Sequence, residues 1–377
     1  MATYIYQLPG WPKFHWNHSD LANLLAAVRH RQGRLIGHMQ ALGFSLREEA
    51  ILSTLTGDVL KSSEIEGDLL DKQQVRSSIA RRLGMDVVGM TPADRNVDGV
   101  VEMMLDATQA YKDPLTVERL FGWHAALFPT GRSGMHKMTV GAWRDDKTGR
   151  MQVVSNPYGR RETVHYEAPP AKDLDAEMKR FLDWFNNTED ETDSVIRAAI
   201  AHLWFVTVHP FDDGNGRIAR AIADMCLARS EGSSQRFYSM SSQILLEQKA
   251  YYELLEATQK GDLDVGPWLK WFLACLERAF DGAESILAGV FLKDEFWKKH
   301  AAVPLNERQR DILNRLLDGF EGKLTSSKYA KIEKTSPDTA LRDINSLVER
   351  GILVKDDGGG RSTSYSLADE RPPRPRT

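Results

Sequence analysis

The chain has 377 residues, a formal net charge of −4, 42% hydrophobic residues and two cysteines. That length can bury a large core spread over two or three domains. A slightly acidic balance excludes a global electrostatic footprint for nucleic acid. Two cysteines exclude a disulfide framework, and no apolar run reaches membrane-spanning length, in keeping with a mean hydropathy of −0.42.

The first residues carry neither a basic region nor a long apolar stretch, so no signal peptide is expected. Cys226 and Cys275 both lie in apolar helical windows and read as buried free thiols of a reducing, cytoplasmic protein with no membrane partner. Trp11-Pro12-Lys13-Phe14-His15-Trp16 leads into a predicted helix over residues 20–42. A second predicted helix covers 46–66, with Ala50, Ile51, Leu55, Val59 and Leu60 as its apolar positions. It ends in Ser62-Ser63-Glu64-Ile65-Glu66-Gly67, where Ser62 and Glu66 are i,i+4 neighbours on one face.

Helices are predicted over 97–111 and 117–127. After Gly141-Ala142-Trp143-Arg144 come two extended runs, Met151 to Ser155 and Glu162 to Ala168. They flank Asn156-Pro157-Tyr158-Gly159, a hairpin-turn composition. A helix over 173–186 turns Leu174, Met178, Phe181 and Phe185 inward. Residues 194–208 are apolar nearly all round, as a buried core helix is. Pro210 disfavours the α conformation at His209, so that helix should stop there. Another helix is predicted over 217–229.

Between these two helices lies His209-Pro210-Phe211-Asp212-Asp213-Gly214-Asn215-Gly216-Arg217-Ile218-Ala219-Arg220. The run concentrates what phosphate chemistry needs. His209 is a candidate base and Asp213 a carboxylate for a divalent metal. Gly214-Asn215-Gly216 can aim successive backbone N–H groups at one anion, and a helix starting there adds its own unpaired N–H groups. Arg217 and Arg220, at i and i+3, share a face and can both reach that anion. His202, His209 and Asp212 match no common transition-metal spacing.

Downstream, helices are predicted over 244–259, carrying Tyr251-Tyr252, and over 267–280. Pro304 marks a boundary. Residues 304–368 read as a winged helix, with a helix over 306–317 and another starting at Ser336-Pro337-Asp338. Ile352-Leu353-Val354, a Gly358-Gly359-Gly360 turn and Ser364-Tyr365-Ser366-Leu367 form the wing. The helix-turn-helix character suits DNA, but acidic and basic residues nearly balance there, so DNA binding, protein contact and dimerisation all stay open. The Pro/Arg-rich tail is expected to be disordered.

The twelve-residue run resembles the signature of the Fic family, His-Pro-Phe-x-(Asp/Glu)-Gly-Asn-Gly-Arg-x-x-Arg, with every fixed position matched. The resemblance implies a mainly α fold: a Fic-type helical core with a small β-hairpin flap, here followed by a C-terminal winged helix. It also implies transfer of AMP from ATP to a Ser, Thr or Tyr hydroxyl of a target protein, possible self-modification included. His209 would be the general base and Asp213 would hold Mg²⁺. Gly214, Asn215 and Gly216 would cradle the phosphates, with Arg217 and Arg220 on the β and γ groups. Tyr251 would help form the nucleotide pocket. Ser62 to Gly67 resembles the family's inhibitory motif, (Ser/Thr)-x-x-x-Glu-(Gly/Asn), so Glu66 would pair with Arg220 and block the γ-phosphate. The hairpin resembles the family's flap, on which an extended target segment would dock around Val164–Glu167.

These readings divide the chain into an N-terminal helical region with the inhibitory helix (1–90), a Fic core (91–290), a winged-helix domain (304–368) and the tail (369–377). The leading expectation is an autoinhibited protein adenylyltransferase using ATP and Mg²⁺. Two alternatives stay open: an enzyme of the same fold that removes AMP, with Glu66 orienting a water, and a DNA-binding regulator whose Fic core senses nucleotide. A homodimer stays open as well.

Overall fold

A computed structural model describes residues 4–85, 90–147, 149–155, 163–187, 192–320, 322–356 and 363–368. The predicted turn at 156–159, Glu162, the glycine turn at 358–360 and the tail lie outside the described residues. The chain forms two compact units, the first comprising residues to Met85 together with Thr91–Leu287, the second running from Ala288. The N-terminal region thus belongs to the same compact unit as the residues that follow it.

In the first unit the helices run in chain order as α1 (His18–Gln40), α2 (Phe44–Ile65), α3 (Lys72–Arg82), α4 (Arg95–Gln109), α5 (Val117–Leu127), α6 (Leu174–Asn186), α7 (Ser194–Val208), α8 (Asn215–Glu231), α9 (Met240–Leu246), α10 (Gln248–Gln259) and α11 (Gly266–Lys299). Between α5 and α6 lie two antiparallel hairpins, β1 (Arg132–Ser133) with β2 (His136–Lys137) and β3 (Gln152–Ser155) with β4 (Thr163–Glu167). The fold is mainly α, as the sequence implies.

The centre is the α7–α8 pair, which packs face to face. From Val195 to Val208 every described α7 residue except Arg197 is buried, which explains its apolar composition all round. Asp193 caps its start by accepting from Val195 N at 2.8 Å. α4 and α5 pack beside α8, while α2 lies against α9 and α3. A buried carboxylate fastens α2: Asp58 accepts from Ser239 Oγ and from Ser241 N. The end of α2 is held by α10, where Gln248 Nε2 donates to the Ile65 carbonyl at 2.9 Å and the Tyr252 hydroxyl donates to it at 3.3 Å.

Two predicted helices are corrected. The helix expected over 244–259 is two helices, broken at Glu247, whose backbone leaves the helical region (φ −112, ψ 20) while its carboxylate takes both Nε and Nη2 of Arg278. The helix expected over 267–280 continues to Lys299, and the two compact units divide within it, at Leu287/Ala288. α3 and the β1–β2 hairpin had no predicted counterpart.

The second unit continues with α12 (Glu307–Leu317), α13 (Ser326–Ile332), α14 (Pro337–Glu349), and the antiparallel pair β5 (Leu353–Lys355) and β6 (Tyr365–Leu367). α13 was not predicted. Asn306 and Gln309 form a capping box on α12, and Ser336 with Pro337 starts α14 as its sequence signals require. Ile312, Leu313, Tyr329, Ile344, Leu347 and Leu353 form its core.

Candidate functional site

The signature run is the connection between the two most buried helices, so the core itself fixes its side chains. α7 ends as predicted: His209 takes the left-handed conformation (φ 50, ψ 58), with its N–H still bonded to the Phe205 carbonyl at 2.9 Å. Its Nδ1 lies 3.2 Å from the Val206 carbonyl. A carbonyl can only accept, so Nδ1 carries the hydrogen and Nε2 keeps the lone pair. Burial, the largest influence, pushes the His209 pKa down to about 4, so the ring is neutral at neutral pH. Arg144 locks the same turn. Its side chain is 1% exposed, and its Nε donates to the His209 carbonyl at 2.7 Å and its Nη2 to the Pro169 carbonyl at 2.6 Å.

Gly214 sits at the N-cap of α8 with φ 79. A Cβ there would lie 2.9 Å from Cε2 of Phe128, so the close approach of α5's end to the turn requires glycine. Asn215 uses both ends of its side chain on Phe211. Its Oδ1 accepts from Phe211 N at 3.0 Å and its Nδ2 donates to Phe211 O at 2.9 Å. The Asn215 side chain is thereby spent on bracing the loop, and only its backbone remains for an anion. Asp213 is oriented from two sides, by the Ser133 hydroxyl on Oδ2 and by Gly214 N on Oδ1. Asp212 instead accepts from Thr139 N at 3.0 Å. His124 stacks on Phe211 at 4.1 Å between centroids and accepts from Gly141 N at its Nδ1. Among the described residues no group of three or more His, Cys, Asp or Glu side chains clusters for a metal.

The first turn of α8 directs Arg217 and Arg220 to one side, where both meet carboxylates from the segment after α2. Arg220 Nη2 lies 2.8 Å from Glu66 Oε1 and 2.7 Å from the Ser62 carbonyl, and its Nε donates to Ser62 Oγ at 3.0 Å. Burial, the largest single influence, opposes the Arg220 charge, but Glu66 together with Tyr251 and Tyr252 holds the guanidinium pKa above its usual value. Glu66 rests against the glycine turn: a Cβ on Gly216 would come within 2.2 Å of Glu66 Oε1. Arg217 Nη1 lies 2.8 Å from Asp68 Oδ2. Even so, Arg217 Nε and Arg220 Nη1 are buried without a hydrogen-bond partner among the described residues. Buried guanidinium N–H groups left unpaired are costly.

The second hairpin lies against this end of the unit. Tyr166 is buried, and its hydroxyl donates to the Thr207 carbonyl, two residues before His209, at 2.7 Å. His165 ties β4 to α10, with its Nδ1 2.7 Å from Glu256 Oε2 and its Nε2 2.7 Å from Ser155 Oγ. Val153, Val154 and Val164 stay exposed. Tyr251 is 2% exposed, its hydroxyl 3.2 Å from His202 Nε2 and its ring beside Trp268 and Trp271. It belongs to the interior that backs Arg220; Tyr252, 43% exposed, is the tyrosine that faces solvent.

The sequence singled out His209, Asp213, the glycine turn, Arg217, Arg220, Ser62 and Glu66, and the fold brings all of them together. It gave no signal for Asp68, Ser133 or His124, which reach the site only through tertiary contacts. The first unit is thus mainly helical, with a glycine turn and two arginines at the start of a central helix. Residues 114–227 match the Fic/DOC family. Residues 4–85, which include the Glu66 segment, match a domain of unknown function, DUF4172.

Proteins named protein adenylyltransferase Fic are similar. The one from Drosophila willistoni is 25% identical over 233 residues, covering 59% of this chain and 40% of its own. The one from Nematostella vectensis is 26% identical over 240 residues, covering 62% and 50%. The chain thus spans half or less of the length of these relatives. A crystal structure of a Fic family protein from Desulfovibrio desulfuricans G20 shares the fold, with a TM-score of 0.52 at 21% identity over 95% of this chain and 98% of that one. No helix among the described residues is long and apolar enough to cross a membrane.

Proposed function

We propose that this chain is an autoinhibited protein adenylyltransferase, which transfers AMP from ATP to a hydroxyl of a target protein. The observation that carries the proposal is the Glu66 carboxylate lying in the nest between Gly216 and Arg220, 2.8 Å from Arg220 Nη2. An acidic side chain occupies the place of an anion that the unpaired guanidinium N–H groups call for.

In this reading the target docks along the exposed hairpin, and backbone bonds to a strand edge set its register. The acceptor hydroxyl gives its proton to His209 Nε2, which is neutral and has its tautomer fixed by Val206. The hydroxyl oxygen bonds to the α-phosphorus, the bond from that phosphorus to the α–β bridging oxygen breaks, and pyrophosphate leaves. Arg217 and Arg220 neutralise charge on the β and γ groups, and the turn at 214–216 supplies backbone N–H groups.

The residues fit Mg²⁺. The ion is commonly held by one or two carboxylates together with substrate phosphates, and Asp213 offers one carboxylate, already oriented, beside the phosphate nest. There it would neutralise phosphate charge. The second unit is read as a winged helix on its helix order and hairpin, with a DNA or protein contact and self-association both open to test.

Glu66 keeps 29% of its side chain exposed, so water reaches the carboxylate. That favours a second reading in which the same residue orients water for AMP removal. Incubating the full chain carrying Glu66→Gly with α-labelled ATP, CTP, GTP or UTP, followed by mass spectrometry of labelled proteins, tests the proposal. It requires an AMP adduct on a Ser, Thr or Tyr from ATP, and label retention by no protein would contradict it.

A further inference from the structure

Both arginines of the nest meet a carboxylate, and one local turn delivers both. α2 ends in a Schellman motif: Asp68 N donates to the Ser63 carbonyl and Gly67 N to the Glu64 carbonyl, each at 3.0 Å, with Gly67 at φ 85. Glu66 is therefore the last helical-side residue and Asp68 the second residue beyond it. The left-handed glycine between them reverses the backbone. The two side chains then fall on arginines three positions apart, Glu66 on Arg220 and Asp68 on Arg217, each at 2.8 Å.

Arg217 has little else to hold. Its side chain is 6% exposed, its Nε is buried and unpaired among the described residues, and its guanidinium lies over the Phe128 ring at 5.2 Å. Asp68 supplies the one carboxylate found on it among the described residues. Asp68 also lies beyond the six residues that resemble the inhibitory motif, which ends at Gly67.

We propose that Asp68 is a second inhibitory residue, which occupies Arg217 and closes the diphosphate part of the nucleotide site, while Glu66 closes the γ-phosphate part at Arg220. This rests on the reading of the nest as a nucleotide phosphate site. It predicts two separately released arms. Glu66 discriminates against a triphosphate; Asp68 acts on any nucleotide with a β-phosphate, ADP included.

The arms differ in strength. Arg220 is 2% exposed and holds Ser62 as well, whereas the Asp68 side chain is 56% exposed, so solvent screens the Asp68–Arg217 pair. Releasing it should change affinity by roughly two- to fivefold, the range of an exposed ion pair. The direction is set by Arg217. Once Asp68 is gone, a buried cation is left unpaired until an anion arrives.

The test is calorimetric binding of AMP, ADP and ATP to the full chain as wild type, Asp68→Ala, Glu66→Gly and the double variant, with melting temperatures to establish folding. Asp68→Ala should tighten ADP about two- to fivefold and leave AMP unchanged. In the Glu66→Gly background it should tighten ATP by the same factor. An unchanged ADP affinity in folded Asp68→Ala overturns the proposal. So does equal tightening of AMP, which would mean only a general loss of negative charge near the site. If Glu66→Gly fails to tighten ATP while Asp68→Ala tightens ADP, the Glu66 lock fails and the Asp68 arm stands. If no variant binds any of the three nucleotides, both fail together.

Discussion

His209 Nδ1 faces the Val206 carbonyl at 3.2 Å, so a backbone acceptor one turn back decides which imidazole nitrogen is free to take a proton. A positioned base of this kind contributes about 10²–10⁴ in rate. His209→Ala should lose that factor in AMP transfer and keep nucleotide affinity within about twofold, because the phosphate ligands lie on α8. Normal labelling by this variant removes His209 from the mechanism. His209→Asn should behave like alanine, since an amide offers no comparable base at neutral pH.

The two adjacent aspartates should separate. Asp213 is aimed by Ser133 and Gly214, whereas Asp212 is used on the backbone N–H of Thr139. Asp213→Ala should lower transfer by roughly 10²-fold or more and flatten its dependence on Mg²⁺ concentration. Asp212→Ala should cost less than about tenfold, through loss of one loop hydrogen bond. Titrating both variants with Mg²⁺ separates these outcomes; equal damage with an unchanged Mg²⁺ profile means that the carboxylate has been misassigned.

Acid should destabilise the first unit through its histidines. Burial pushes His124 and His209 down to about 4 and His202 to about 3, while in the unfolded chain each returns to about 6.5. Between these limits the unfolded state binds more protons, so stability rises with pH there. The contribution is complete above about pH 6.5 and is lost as pH falls towards 4, at up to about 1.4 kcal/mol per pH unit for each histidine. Melting temperature measured from pH 7.5 to 4.5 should fall below about pH 6.5, more shallowly in His202→Asn provided that variant folds. A flat profile across that range contradicts the burial of these rings.

What the sequence disclosed and what it hid follow one physical division. The chemistry-bearing residues from His209 to Arg220 are contiguous, and the apolar flanks, Pro210 and the glycines announce a helix–loop–helix. Ser62 and Glu66 are legible for a similar reason, being one helical turn apart at a glycine stop. Asp68, Ser133 and His124 lie far from the signature and carry no local pattern, so only folding assembles them. α3 escaped notice because its sequence, Lys72–Arg82, has just Val75 and Ile79 as large apolar residues. The break at Glu247 has no glycine or proline to mark it; Arg278, from another helix, holds that carboxylate. The helix expected to end at Phe280 runs on through Gly282, because glycine inside a helix costs only about 1 kcal/mol and Val290 and Phe296 carry the buried pattern onward.

The central claim is that Glu66 locks Arg220, and the most direct measurement is transfer of label from α-labelled ATP by wild type, Glu66→Gly, Arg220→Ala and the double variant. Glu66→Gly should raise transfer, self-modification included, at least about tenfold, equivalent to about 1.4 kcal/mol in barrier. Arg220→Ala should show no gain, because it opens the lock and removes the phosphate ligand together, and the double variant should match it. Transfer by folded, nucleotide-binding Glu66→Gly at or below the wild-type level would contradict the account. A loss confined to AMP removal from a modified protein would assign Glu66 to water instead.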